Sequence, residues 1–205
     1  AKLVAAKLGF IYVDTGAMYR AMALYFLENG IQPEDEEKVS AACGQIDISL
    51  RYQDGVQQVI LNGRDVSGKI RTEAVGNAAS VVSAYRAVRQ ALLALQQNLA
   101  KTSNVIMDGR DIGTCVLPNA QTKIYLTASS HVRAVRRYKE LTEKGQMCNL
   151  EEIEQDIIDR DYRDMHRENS PLKQADDAVL LDSSDMTLKE VVDTITAMID
   201  KKQGA

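Results

Sequence analysis

Asp108-Gly109-Arg110-Asp111 places an arginine and two carboxylates within four residues, directly after the apolar run Val105-Ile106-Met107. A guanidinium grips phosphate oxygens with a rigid fork of donors, and a carboxylate accepts hydrogen bonds from amino or hydroxyl groups. A surface ion pair at a strand–helix turn would use the same residues. A second concentration of charge is Arg160-Asp-Tyr-Arg-Asp-Met-His-Arg167. Arg160, Arg163, Asp164 and Arg167 fall at i, i+3, i+4 and i+7, on one helical face, with Ile158, Tyr162 and Met165 opposite. Asp156 with Arg160, and Asp159 with Arg163, are favourable i,i+4 pairs worth about 0.2–0.5 kcal/mol each, as on a salt-laced surface helix. Arg163 and Arg167 repel at the same spacing, however, and Arg133, Arg136 and Arg137 add further cations. Such a cluster favours an anion among it. A third candidate is Asp14-Thr15-Gly16, followed by Arg20 in a first helical turn. An arginine there opposes the helix dipole, unless it and the helix N-terminus share an anion. The chemistry these residues suit is phosphoryl transfer, which needs positioning and charge neutralisation more than covalent groups.

Elements must hold these groups. Val105-Ile106-Met107 is too short for a helix and suits a strand apolar on both faces, and Gly109 lets the backbone turn sharply at its end. Residues 10–13, 122–127 and 178–181 read as further strands alternating with helices. This alternation predicts a doubly wound α/β core with a parallel sheet, whose ligands lie at the carboxyl ends of its strands. Asp14-Thr-Gly and Asp108-Gly-Arg-Asp are expected to converge on that edge. Residues 46–52 alternate apolar and polar, Asp54-Gly55 is a hairpin turn signal, and residues 59–61 make the return strand. A hairpin is foreign to a parallel-sheet crossover, so an inserted subdomain is predicted. Residues 73–100 read as helical, with a bend near Ser83-Ala84-Tyr85 that lets Ser80 and Arg89 face one direction. Further helices are predicted over 1–8, closed by Gly9, over 17–28, capped by Thr15, and over 131–144, capped by Ser129-Ser130 and closed by Gly145. Two more start after the capping pairs Asn149/Glu152 and Thr187/Glu190.

The bulk numbers narrow the classes. With 205 residues, 45% hydrophobic and 26% charged, the chain is of ordinary globular composition and long enough for one core with a small insert. A net charge of −4 and the lack of an aromatic stacking platform argue against nucleic-acid binding. No apolar run approaches the roughly 18 residues of a membrane helix, and no signal peptide opens the chain. Cys43, Cys115 and Cys148 have no metal-ligand spacing, and His131 and His166 form no cluster. A reduced, cytoplasmic protein without disulfides or a protein-bound metal is expected.

Four stretches together resemble the bacterial cytidylate kinases. They are Asp14-Thr-Gly-Ala-Met-Tyr-Arg20, Asp65-Val-Ser-Gly-Lys-Ile-Arg-Thr72, Asp108-Gly-Arg-Asp-Ile-Gly-Thr114 and Arg160-Asp-Tyr-Arg-Asp-Met-His-Arg167, in order over nearly the whole chain. The resemblance implies the nucleoside monophosphate (NMP) kinase fold. That is a P-loop-type parallel sheet flanked by helices, with an antiparallel β-containing NMP-binding insert and a helical lid. The corresponding divisions are a core of 1–30, 100–135 and 170–205, an insert of 31–99, and lid and flanking helices over 136–169. It implies transfer of the ATP γ-phosphate to CMP or dCMP with Mg²⁺. It further implies that Arg20, Arg110 and Arg167 grip the acceptor phosphate with Thr15 nearby. Ser80, Arg89 and Asp111 would read the cytosine, and Arg160 and Asp164 would hold the ribose hydroxyls. Arg136 and Arg163 are chosen for the ATP phosphates, and Arg110, Arg163 and Arg20 for the reacting centre. A monomer whose partners are small nucleotides is expected. The family's opening strand and P-loop, ending in Gly-Lys-Ser/Thr, have no counterpart in these residues. The expectation is that further residues precede Ala1, and that a chain without them would bind CMP weakly and lack kinase activity. The alternatives are a same-fold kinase for UMP or another small acceptor, a non-catalytic nucleotide-binding module, and an RNA-binding protein using the arginine helix.

Overall fold

The structure, a computed structural model, describes residues 1–53 and 56–203, with the backbone alone at Gln203. The turn expected at Asp54-Gly55 lies outside the described residues. Helix α1 (Lys2–Leu8) leads into strand β1 (Ile11–Asp14) and helix α2 (Thr15–Glu28). Helix α3 (Glu36–Ala42) follows, in a stretch for which the sequence suggested no element. Asp35 caps it by accepting the Lys38 N–H. Strands β2 (Ile48–Gln53), β3 (Val56–Leu61) and β4 (Arg64–Asp65) form an antiparallel sheet, in which Tyr52 faces Gln57. The predicted long helix is two, α4 (Glu73–Val82) and α5 (Arg86–Thr102), broken where the bend was expected. Strand β5 (Val105–Asp108) is followed by a short π-helical turn over Ile112–Val116. Then come β6 (Ile124–Thr127), α6 (Ser130–Glu143), α7 (Leu150–His166), β7 (Val179–Asp182) and α8 (Leu188–Gln203). The arm is an α6–α7 helix pair, and α6 starts upstream of the division expected at 136.

β1 pairs with β5 in parallel, Asp14 opposite Asp108, and β6 pairs with β7, Thr127 opposite Asp182. Among the described residues the four parallel strands therefore make two pairs rather than one continuous sheet. Side chains join them: Ile106 of β5 and Ile124 of β6 pack against Val4, Leu181, Ile195 and Ile199. Val105 and Met107, on the other face of β5, pack into a larger cluster centred on α2. That cluster contains Met18, Met22 and Phe26 together with Val59, Leu61, Val66 and Ile70 of the insert and Val82, Val88 and Leu92 of α4 and α5. The insert thus shares the core's apolar interior. Burying each of Met18, Met22 and Phe26 contributes about 1.5–3 kcal/mol.

Candidate nucleotide-acceptor site

The carboxyl ends of β1 and β5 bring Asp14 and Asp108 side by side. Asp14, not Thr15, caps α2, because the helix already starts at Thr15. Its Oδ1 accepts the Ala17 N–H at 2.9 Å, and its Oδ2 accepts from Arg20 Nη2 at 2.9 Å. Thr15 is nearly fully buried, and its hydroxyl donates to the Asp108 carbonyl at 2.7 Å. Two glycines make room here. A Cβ on Gly16 would stand 3.0 Å from Arg20 Nη1, and one on Gly109 would stand 2.6 Å from Thr15 Oγ. Gly109 does not adopt the left-handed backbone. Close approach of strand β5 to helix α2, rather than a sharp turn, is what requires it. The Tyr12 hydroxyl donates to Asp108 Oδ2 at 2.9 Å. Burial raises the Asp108 carboxyl's proton affinity and the nearby Asp14 adds to this, while the bond from Tyr12 opposes it. Burial, then Asp108, likewise pushes the Tyr12 hydroxyl up.

Arg110 and Asp111 do not pair with each other. Arg110 Nε donates to Asp164 Oδ2 at 2.9 Å, across from β5 to α7. Asp164 is buried, and it also has Arg167 Nη1 at 3.6 Å and Arg160 Nε at 4.0 Å. One carboxylate thus gathers three guanidiniums. Burial lowers the proton affinity of both Arg160 and Arg167, and the neighbouring cations Arg110 and Arg89, respectively, act in the same sense. Arginines still remain charged, so this is a site where like charges are held together at a cost. Neither i,i+4 pair expected on α7 forms among the described residues. Asp159 accepts from Gln155 instead, at 2.8 Å, and Arg160 lies nearest Asp164. The helix is turned the unusual way: Asp164 faces inward, while Ile158, Tyr162 and Met165 are exposed.

Asp111 is paired with Arg89, and both side chains are at least nine-tenths buried. Arg89 Nη1 also donates to the Ser83 carbonyl at 2.9 Å, and its guanidinium lies 5.4 Å from the centre of the Tyr19 ring. The break between α4 and α5 supplies that carbonyl. A cavity of about 210 Å³ adjoins this pair, lined in part by Tyr19, Gln96 and Cys115. Three buried side-chain atoms have no hydrogen-bond partner among the described residues: Arg20 Nε, Ser80 Oγ and Gln96 Nε2.

The profile of the cytidylate kinase family matches residues 1–201. A cytidylate kinase of Lactobacillus johnsonii is 49% identical over 203 residues, 99% of this chain and 88% of the relative. One of Caldicellulosiruptor bescii is 46% identical over 200 residues, 98% of this chain and 88% of the relative. One of Bacillus licheniformis is 45% identical over 203 residues, 98% of this chain and 90% of the relative. The chain belongs to the cytidylate kinase family. It is therefore an enzyme, a nucleotide-binding kinase of the transferase class. No described helix is long and apolar enough to cross a membrane.

Within this member of the cytidylate kinase family, the structure gathers Thr15, Arg20, Arg110, Arg160, Asp164 and Arg167 around the strand ends and α7. It sets Ser80, Arg89 and Asp111 at the α4–α5 break. The two residues chosen for the donor stand apart from both groups of contacts. Arg136 donates to the Ser183 carbonyl at 2.6 Å and to the Met186 carbonyl at 3.3 Å, holding the turn after β7. Arg163 is exposed. Of the remaining α6 arginines, Arg133 pairs with Asp161 and Arg137 with Glu140. Sequence reasoning passed over Tyr19, which lies under Arg89. It also passed over Gln57, which bonds both backbone groups of Asp14. Tyr19 had a signal, its place beside Arg20 in the first turns of α2. Gln57 had none, being one polar residue in a half-exposed strand.

Proposed function

We propose the following division of labour in CMP phosphorylation by ATP, the reaction of the cytidylate kinase family. The acceptor is CMP or dCMP, and the products are CDP or dCDP and ADP. Arg20, Arg110 and Arg167 hold the acceptor phosphate, with Thr15 beside it. Arg160 and Asp164 take the ribose hydroxyls. Ser80, Arg89 and Asp111 read the base. Cytosine carries an amino donor where uracil carries a carbonyl, so Asp111 and Ser80 accept from cytosine, while uracil's carbonyl would repel the Asp111 carboxylate. Sites built on such pairing discriminate strongly.

An acceptor-phosphate oxygen attacks the γ-phosphorus in line, and the bond to the ADP oxygen breaks. Arg110 and Arg20 on the acceptor side, and Arg163 on the donor side, neutralise charge on the phosphoryl group in flight. Arg136 reaches the ATP phosphates by exchanging its present carbonyl partners for them. Among the described residues no cluster of three or more His, Cys, Asp or Glu side chains is arranged to hold a metal. Mg²⁺ is read as entering with ATP, as part of the donor substrate. A cytoplasmic monomer is the setting this reading assumes.

The observation that carries the reading is the pair of buried, unpartnered atoms Arg20 Nε and Ser80 Oγ. Buried polar atoms are as a rule satisfied, and a nucleotide with an anion at one end and an amino group at the other supplies both partners. The test is an acceptor panel read by ADP release and by direct binding. CMP and dCMP are expected to exceed UMP and AMP. Asp111→Ala is expected to reduce the preference for CMP over UMP by about tenfold or more, with the KM for ATP unchanged. A wild-type preference for UMP, or undiminished selectivity in the variant, would overturn the assignment.

A further inference from the structure

Strand β1 has a second edge. The Ile11 N–H bonds to the Asn104 carbonyl, so residues 11 and 13 direct their backbone groups toward β5. Tyr12 and Asp14 direct theirs the other way, to an edge that no strand covers among the described residues. Two facing residues of the insert's hairpin take up that edge with side chains. The Tyr52 hydroxyl donates to the Tyr12 carbonyl at 3.3 Å. Gln57 bonds twice to Asp14: its Oε1 accepts the Asp14 N–H at 3.0 Å, and its Nε2 donates to the Asp14 carbonyl at 3.3 Å. Gln57 therefore completes the backbone of the residue whose carboxylate both caps α2 and holds Arg20.

The space around this relay is tight. Gly16 is bare because a Cβ there would stand 3.2 Å from Asp14 Oδ1 and 3.0 Å from Arg20 Nη1. With Nη2 on Asp14, the guanidinium's orientation follows that of the carboxylate, and its buried Nε has no partner among the described residues. A tilt of the Asp14 backbone would swing both.

We propose that Gln57 is a positioning residue. Through the Asp14 backbone and carboxylate, it aims the Arg20 guanidinium at the acceptor phosphate, so that the β-sheet insert tunes recognition of the phosphate and not of the base. The inference rests on the reading of Arg20 as a phosphate ligand. Misplacement of a binding group by an ångström is enough to cost up to about a hundredfold.

The test compares CMP with cytidine by calorimetric titration, since their affinity ratio isolates the phosphate's share. Wild type is expected to prefer CMP. Gln57→Ala is expected to lower the ratio by about tenfold while cytidine binds as before. Tyr52→Phe removes the neighbouring tether without touching Asp14, and is expected to leave the ratio intact. In an Arg20→Ala background, Gln57→Ala is expected to have no further effect. An unchanged ratio in Gln57→Ala would overturn the proposal. So would an equal loss in Tyr52→Phe, or losses that multiply in the double variant. A wild type that binds CMP no better than cytidine would instead overturn the phosphate-site reading itself, and the inference with it. Melting temperatures of all variants separate a folding defect from a shift in the ratio.

Discussion

At Asp108 a carboxylate is held against the Tyr12 hydroxyl, and burial raises its affinity for a proton above that of an ordinary carboxyl. A group whose affinity is raised on folding contributes stability that is full below its unfolded pKa. That contribution is lost as the pH climbs through the folded value. At a pH above that folded value the protein carries the Asp108 charge at a cost. Asp108→Asn keeps an oxygen to accept from Tyr12 and removes the charge. It is expected to raise the melting temperature near pH 7, by about 2–4 °C for each kcal/mol recovered. The advantage should shrink as the pH falls toward the ordinary carboxyl value of 3.8. Scanning calorimetry across pH checks this, and an advantage that grows in acid would contradict it. The same residue scale shows why Arg110 and Asp111 are adjacent but independent. Each is held by a partner from a distant segment, Asp164 for one and Arg89 for the other.

Between elements, the contact that matters most is the approach of β5 to α2. The Thr15 hydroxyl and the Asp108 carbonyl bridge it at 2.7 Å, and Gly109 is the clearance that permits it. Gly109→Ala places a Cβ 2.6 Å from Thr15 Oγ and 2.9 Å from Ile112, closer than real Cβ contacts run. It is expected to push the strand end from the helix and destabilise by about 1–3 kcal/mol. The variant should also weaken CMP binding, because Arg110 and Asp111 follow Gly109 in the chain. Thr15→Val removes the hydroxyl while nearly keeping the volume. It is expected to cost about 0.5–1.5 kcal/mol for the lost hydrogen bond to the Asp108 carbonyl. Urea unfolding of both variants measures these effects. Helix α7 makes a related point. Its inward side carries the buried Asp164 beside the half-buried Ile153, Ile157 and Asp161, while Ile158, Tyr162 and Met165 are exposed, so charged contacts hold it together with a few apolar ones.

For the whole molecule, the candidate acceptor site is assembled from the ends of β1 and β5, the α4–α5 break and the inward face of α7. A nucleotide spanning them would tie the core, the insert and the arm together. CMP is then expected to raise the stability by about 2.7 kcal/mol at a hundred times its Kd, and UMP to raise it less at the same concentration. The effect should weaken with added salt, since part of the attraction is between exposed charges. Thermal shift titrations at two ionic strengths check both statements. Much of this was legible in the sequence. The four parallel strands, the caps Ser129, Asn149 and Thr187, the closing Gly145 and the α4–α5 break lie where propensity and periodicity put them. Such signals are carried by residues within a few positions of each other. The family motifs contain most of the charged residues that meet at the strand ends, with Arg163 standing apart. Pairings were not legible. Nothing local told Arg110 to choose Asp164, 54 positions on, over its neighbour Asp111, or Gln57 to choose the backbone of Asp14, 43 positions back. Any arginine complements any carboxylate, so composition leaves the partners of charged groups open. The sequence by itself determined most of the elements, α3 and β4 apart, with their order and the set of chemically able residues. Only the tertiary structure decided which of those residues are desolvated, which are left without a partner, and which are held in place by another segment. Burial and long-range register arise only when the whole chain has packed.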